Sequence, residues 1–325
     1  MPLKSVWTPA TIAAAAPVSD HVRLIEIAPY GGPHRYGPGA HIDVAVMIAE
    51  RPETRSYTLV GPARPGAPYR IAVKMLEDSR GGSRYMHALK EGANVMVSQP
   101  KNDFELDFSA PRYLLVAGGI GITPIYSMAL ALAEKGADFR LLYAGHSLSD
   151  MPFAAELREK LGSRVELFVS DQGRRIDIAG EIEKLDSSTQ LYLCGPVPML
   201  DAARAAWHRL GKPAGNLRYE TFGASGHFAP QAFKVKIPRL DLELDVPANQ
   251  SVLEVLEKAG VDVISDCRRG ECGTCIVDIV SATGTVDHRD MFFSDAEHAE
   301  NKKMCICVSR VVDGDLVLDT SYRAD

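Results

Sequence analysis

A dense cysteine framework, an excess of positive charge and an uninterrupted apolar span are all missing from this chain of 325 residues. Six cysteines over that length, with no secretory signal expected, argue against a disulfide scaffold. Pro9 and Pro17 bracket the early apolar run Ala13 to Ala16, so no signal core forms and a cytoplasmic location is expected. The formal net charge of -6 argues against nucleic acid as the main partner. The longest uncharged stretch, Tyr113 to Ala133, has the length of a membrane span, yet Gly118-Gly119-Ile120-Gly121 and Thr123-Pro124 interrupt it. It reads as strand, tight turn and helix, and no membrane association is expected. No internal repeat or low-complexity segment is present. With 46% hydrophobic and 24% charged residues, the chain can bury two or three compact cores.

What is present divides into three patterns. From residue 1 to 108, short alternating segments are separated by Pro and Gly clusters such as Gly61-Pro62-Ala63-Arg64-Pro65-Gly66, the pattern of an antiparallel β-barrel. From 109 to 223, buried strands at Tyr113 to Ala117, Phe139 to Ala144, Val165 to Ser170 and Leu191 to Cys194 alternate with helices, which implies a parallel α/β sheet. Thr123 is placed as the N-cap and Pro124 as the first residue of the first helix, and Gly136 closes it. Residues 224–232 form a linker, the turn-rich string starting at Gly223-Ala224-Ser225-Gly226. From 233 to 325, Val235, Ile237, Leu240, Leu242 and Leu244 suggest a hairpin. Ser251 and Glu254 then form a capping box on a helix that ends before Gly260.

Three cysteines, Cys267, Cys272 and Cys275, have the C-x4-C-x2-C spacing of a plant-type [2Fe-2S] ferredoxin, whose fourth thiolate comes from far downstream. Gly270 and Gly273 lie between them, where the loop must turn tightly and bring N–H groups near sulfur. The fourth ligand is Cys307 or Cys305. Cys307 is favoured, because Cys307-Val308-Ser309-Arg310 resembles the last cluster cysteine of phthalate dioxygenase reductase-type ferredoxins, where a strand carries the ligand. Cys305 then points to the same face of that strand. Zinc ligands more often come in closely spaced pairs and fit this triplet poorly.

In the first part, Arg55-Ser56-Tyr57-Thr58 matches the R-x-Y-[ST] signature of ferredoxin-NADP reductase-like flavin barrels. That resemblance implies that Arg55 meets the flavin phosphate, Tyr57 packs on the ring and Thr58 reaches toward flavin N5. Ile71-Ala72-Val73-Lys74 stands where these barrels line the flavin with backbone groups. Gly81-Gly82-Ser83-Arg84 stands where they cradle its phosphate, with N–H groups, a hydroxyl and a cation from Arg55 or Arg84. In the middle part, Gly118-Gly119-Ile120-Gly121 follows the first strand and resembles the pyridine-nucleotide loop of the same reductases, although Pro124 stands where a Rossmann fingerprint has its last glycine. Cys194-Gly195-Pro196-Val197-Pro198-Met199 matches their C-G-P-x-P-M signature beside the nicotinamide. His146, Ser147, Ser170 and Asp171 surround the adenine ribose position. Asp171 would bond a free 2′-hydroxyl and repel a 2′-phosphate, so NADH is expected over NADPH, while Arg174 and Arg175 are either phosphate contacts or solvated charges.

Taken in order, the three patterns resemble the phthalate dioxygenase reductase family over nearly the whole chain. The resemblance implies three domains: an antiparallel β-barrel for FMN, a parallel α/β domain for NADH and an α+β (β-grasp) ferredoxin domain. FMN rather than FAD is implied because the cluster domain is C-terminal. NADH yields two electrons together and a [2Fe-2S] cluster accepts one at a time, so a flavin must stand between them. Thr58, Thr123, Cys194 and Phe222 are the residues expected around the hydride transfer, with Glu220 and Phe222 ending the nucleotide domain beside the flavin and Phe222 covering the ring. Asp287-His288-Arg289-Asp290 matches a D-H-R-D string of these ferredoxins and either orients a partner or forms a solvated turn. The implied partner is a terminal Rieske-type non-haem iron oxygenase acting on an aromatic compound, and a monomer is expected. A cytochrome P450 acceptor, or a zinc-held interaction module without enzymatic activity, are the other readings.

Overall fold

The computed structural model describes residues 6–48, 51–76, 81–222, 226–320 and 323–324. The chain forms two compact units, Leu3–Glu220 and Thr221–Asp325. Gly223 and the linker residues 224 and 225 lie outside the described residues.

The first unit carries two sheets. Strands β1 (Trp7–Ser19), β2 (Val22–Pro29), β3 (His41–Ile48), β4 (Arg51–Thr58), β5 (Tyr69–Lys74) and β6 (Asn94–Ser98), with the short helix α1 (Gly82–Ala88), build a six-stranded antiparallel sheet in the order β4-β3-β6-β1-β2-β5. A bridge between Leu59 and Ile71 joins its two outer strands, so the sheet closes on itself and leaves no long free edge there. Alternation places Ile12, Ile25, Ile27, Ile42, Val44 and Ile71 inside.

The second sheet is parallel throughout. Strands β7 (Arg112–Gly118), β8 (Asp138–Gly145), β9 (Val165–Val169), β10 (Thr189–Cys194) and β11 (Leu217–Glu220) lie in the order β11-β10-β7-β8-β9. Helices α2 (Ile122–Glu134), α3 (Ala154–Leu161), α4 (Ile178–Glu183) and α5 (Val197–Arg209) connect them. The order reverses between β7 and β10, which makes the carboxyl ends of those strands the crevice where such sheets bind ligands. Val22, Val60, Ala72, Phe104 and Leu106 of the barrel region share one buried cluster with Leu115, Ile125 and Tyr192 of this sheet, which is why residues 3–220 cohere.

Helix α2 ends as expected. Gly136 takes a φ of 67, its N–H bonds the Ala133 carbonyl and the Ala137 N–H bonds the Leu132 carbonyl, the paired bonds of a Schellman motif. Its start differs from expectation. A 3-10 turn at Gly119–Gly121 runs straight into a helix that begins at Ile122, so Gly121 holds the cap position. The Thr123 hydroxyl donates back to the Ile120 carbonyl at 3.1 Å.

The second unit is a mixed sheet with helices on it. The hairpin β12 (Phe233–Ile237) and β13 (Leu242–Val246) is followed by α6 (Val252–Lys258), whose Ser251–Glu254 capping box is formed. The remaining strands and helices are β14 (Val261–Asp262), β15 (Ile276–Ala282), β16 (Thr285–Asp287), α7 (Asp295–Glu300), β17 (Lys303–Cys305), β18 (Arg310–Val312), β19 (Leu316–Asp319) and β20 (Arg323–Ala324), which pairs with β14. The order β13-β12-β19-β15-β17, with β19 returning parallel beside β12, is the β-grasp arrangement. Among the described residues, no helix is long and apolar enough to cross a membrane.

Candidate functional site

At the switch point, the ends of β7 and β10 are locked together by glycines. Cys194 pairs with Ala117 across the two strands and with Glu220 on β11. A Cβ on Gly121 would fall 2.2 Å from the Cys194 carbonyl oxygen, and one on Gly118 would fall 2.6 Å from Pro196 Cδ. Only glycine lets these loops approach so closely. Gly119 is different: with φ 56 it has nothing within 4 Å of where a Cβ would stand, so open space faces the nucleotide loop. That cradle fits a pyrophosphate. Thr123 and Cys194 are both buried.

The outer edge of the same crevice brings together the residues expected at the adenine ribose. His146 Nδ1 lies 3.3 Å from the Ser170 hydroxyl, the Asp171 N–H donates to the His146 carbonyl, and Ser147 bonds Ser149. Arg174 pairs with Glu166 at 3.2 Å and stacks over Phe168, so that cation is engaged on β9.

On the barrel, Arg55 is held by Glu53 at 2.6 Å and lies against Gly82, where a Cβ would come within 2.9 Å of it. Gly81 takes a φ of 99 at the cap of α1, and the Ser83 hydroxyl accepts the Leu76 N–H at 3.3 Å. The glycine turn thus lies against the Arg55 side chain with the Ser83 hydroxyl next along the chain, donor types suited to a phosphate. Tyr57 packs on the barrel core, and burial pushes its hydroxyl up out of the ionising range. Thr58 is buried. Ser56 turns away from this group, because its hydroxyl donates to the Asp43 carboxylate at 2.6 Å. On β5, Lys74 pairs with Asp150 at 3.0 Å and the Val73 carbonyl meets His87 Nε2 at 2.8 Å, while Ala72 is buried.

In the second unit, the loop from Cys267 to Cys275 curls around sulfur. The N–H groups of Arg269, Glu271 and Cys272 each stand 3.4 Å from Cys267 Sγ, and the Thr274 hydroxyl donates to Cys272 Sγ at 3.2 Å. Gly270 and Gly273 both have positive φ, and so does Arg268, whose guanidinium pairs with Glu257. Donors to Cys272 outweigh the burial that would raise its thiol, and its pKa falls. The neighbouring thiols of Cys305 and Cys307 hold Cys275 well below the ordinary thiol range, whereas they themselves are pushed up. Such crowded sulfurs and converging N–H groups fit an iron–sulfur cluster.

The strand expected to carry both downstream cysteines ends at Cys305. Cys307 lies in the turn beyond it, whose Val308 and Ser309 N–H groups bond the Cys305 carbonyl, so alternation along a strand does not relate the two. Cys307 accepts the Gly270 N–H and feels the charge of Cys267, while Cys305 faces Asp290. The D-H-R-D string is not a solvated turn: Asp287, His288, Arg289 and Asp290 are all buried. Asp290 accepts the hydroxyl of Ser309, two residues past Cys307, and the Met291 N–H bonds the Gly270 carbonyl, so this string backs the cysteine loop. Sequence reasoning passed over Ser309 and Thr274 as supports of the cysteines, although Thr274 lies inside the motif. Phe222 is exposed, and the N–H of Thr221 beside it bonds Glu271 at 3.4 Å.

Comparison with known proteins agrees with this layout. Residues 115–205 match an oxidoreductase NAD-binding domain and residues 235–312 a 2Fe-2S iron-sulfur cluster binding domain. The chain is 36% identical to the reductase subunit of the toluene-4-sulfonate monooxygenase system of Comamonas testosteroni, over 97% of this chain and 99% of that one. It is similar to the solved phthalate dioxygenase reductase, a modular structure for electron transfer from pyridine nucleotides to [2Fe-2S], with 34% identity, a TM-score of 0.74 and coverage of 97% of this chain and 98% of that one. An intact type IV self-sufficient cytochrome P450 monooxygenase is also similar, at 33% identity and a TM-score of 0.67, over 98% of this chain but 42% of that longer one. The chain thus belongs to the phthalate dioxygenase reductase family of electron-transfer oxidoreductases, whose cofactors are FMN, NADH and a [2Fe-2S] cluster.

Proposed function

We propose that this chain is the reductase component serving a terminal Rieske-type non-haem iron oxygenase or demethylase of aromatic compounds. The observation that carries the reading is the open Gly119 cradle beside Cys194 in the same chain as a loop of three cysteines with a fourth brought back to it. A flavin held there would supply an acceptor for the hydride of NADH and a donor of single electrons to the cluster.

The residues have separate tasks in this reading. Arg55, Gly81, Gly82 and Ser83 bind the flavin phosphate, Tyr57 and the β5 backbone at Ala72, Val73 and Lys74 hold the ring, and Thr58 orients its reactive edge. The turn Gly118, Gly119, Ile120 and Gly121 receives the pyrophosphate. Thr123, Cys194, Gly195 and Pro196 position the nicotinamide. His146, Ser147, Ser170 and Asp171 bind the adenine ribose, and Asp171 selects NADH over NADPH. Phe222 covers the ring by family resemblance. Cys267, Cys272, Cys275 and Cys307 are the cluster ligands. The domains are assigned as 1–108, 109–223 and 233–325, with 224–232 as linker, and the protein works as a cytoplasmic monomer.

Stepwise anaerobic addition of NADH, followed in the visible spectrum with identification of the released flavin, tests the internal path. Bleaching of flavin and cluster bands with FMN released supports it, and an unchanged spectrum overturns it. A second reading, in which the acceptor is a cytochrome P450, is favoured by the similarity to the self-sufficient P450 monooxygenase. Turnover with purified Rieske and P450 partners separates the two.

A further inference from the structure

His288, Asp290 and His298 present one ligand atom each, all within 4.8 Å of one another, and none belongs to the cysteine set. The geometry points to a second metal site here, for a single divalent transition cation of the zinc class, held by His288 Nδ1, an Asp290 carboxylate oxygen and His298 Nε2.

The argument starts from His288. Its side chain is 8% exposed, and its Nε2 donates to Asn301 Oδ1 at 3.0 Å. A neutral imidazole that donates through Nε2 carries its lone pair on Nδ1. That Nδ1 is buried and has no hydrogen-bond partner, and it stands 3.8 Å from Asp290 Oδ1. That nitrogen faces a carboxylate inside the protein, so a cation must lie between them, either a proton on Nδ1 or a metal ion. Histidine ligands of metals characteristically donate their other N–H to an oxygen acceptor, which fixes tautomer and ring direction, and Asn301 supplies that acceptor.

The other two donors are arranged to match. Asp290 is buried and keeps its orientation through the Ser309 hydroxyl at 2.9 Å on Oδ1 and the Phe293 N–H at 3.1 Å on Oδ2. His298 Nε2 lies 3.0 Å from Asp290 Oδ2, and its ring stacks on His288 with centroids 4.5 Å apart. His298 sits on α7, a short helix with a formed Ser294–Glu297 capping box, and a zinc ion held by the three donors would lie roughly 2.0–2.2 Å from each. Two imidazoles and one carboxylate favour a borderline divalent ion over calcium or magnesium. The ion would tie α7 to the segment that backs Gly270, whose Cβ position lies 2.9 Å from Asp290 Cα.

Zinc uptake by the full-length protein tests this, with iron, sulfide and visible spectrum measured to show that the cysteine cluster is intact throughout. Elemental analysis after gel filtration is expected to find one Zn2+ per chain and a raised unfolding midpoint. His298→Gln, on the partly exposed helix, and His288→Ala are expected to lose both effects, and Asn301→Ala to weaken binding by about 10–100-fold through the lost orienting bond. If His288→Ala fails to fold, His298→Gln decides alone. Wild-type protein that retains no zinc, or His298→Gln protein that retains as much, overturns the site and leaves a proton on His288 as the bridging cation.

Discussion

Asp287 and Arg289 form an ion pair of 2.6 Å with side chains 0% and 5% exposed, and Gly226 lies directly against it. A Cβ at Gly226 would stand 2.3 Å from Arg289 Nε and 2.5 Å from Asp287 Oδ2. The pair also fastens its neighbours, since Asp287 accepts the His227 N–H at 3.1 Å and Arg289 donates to the Phe228 carbonyl at 2.9 Å. Asp287→Asn leaves a buried guanidinium without its counter-charge, a loss of about 3–5 kcal/mol. Urea unfolding followed by cluster absorbance is expected to show that loss in the C-terminal unit. A change below about 1 kcal/mol would mean that water replaces the carboxylate.

The two downstream cysteines make opposite predictions. Cys307 receives the Gly270 N–H within the cysteine loop, whereas Cys305 ends β17 with Asp290 as its charged neighbour. Cys307→Ser is expected to yield protein with little iron or sulfide, and Cys305→Ala to keep two irons per chain, as a [2Fe-2S] cluster demands. Elemental analysis with the visible spectrum decides, and the reverse pattern would exchange the assignment.

Two glycines of one loop also separate. Gly119→Ala adds a methyl into open space at φ 56, so the protein folds with a strain of about 1 kcal/mol while the methyl enters the cradle. Steady-state kinetics should show KM for NADH raised about tenfold, some 1.4 kcal/mol, with kcat little altered. Gly121→Ala instead drives a methyl to 2.2 Å from the Cys194 carbonyl and is expected to impair folding.

Local features of this chain were legible because few residues carry them. The Ser251–Glu254 capping box and the Gly136 helix stop each need only a single turn of helix, and both form. The alternation of apolar strands with helices likewise specified a parallel sheet. The D-H-R-D string was not legible as buried, because its partners are distant in sequence: Asp287 meets His227, and Asp290 meets Ser309. Thr123 looked like a cap because Pro124 follows it, yet the preceding 3-10 turn supplies helical geometry earlier. Cys307 was placed on a strand since nothing in Cys305-Ile306-Cys307 signals that the strand ends at Cys305.

Acid should loosen the flavin barrel through Asp43. Burial would raise its carboxyl, but the Ser56 hydroxyl and the Lys101 ammonium outweigh burial and hold it below the ordinary carboxylate value. A carboxylate depressed in the folded state contributes stability that is complete above its unfolded pKa of about 3.9 and is lost as pH falls below that toward the folded value. Asp43 ties β3 to Ser56 on β4 and to Lys101, so its protonation releases both links beside the Arg55 segment. Midpoints of thermal unfolding measured from about pH 6 down to pH 3 should fall less steeply for Asp43→Asn than for the wild type, because the variant has already lost the titrating group. Parallel curves would show that other carboxylates, and not Asp43, govern the acid limb.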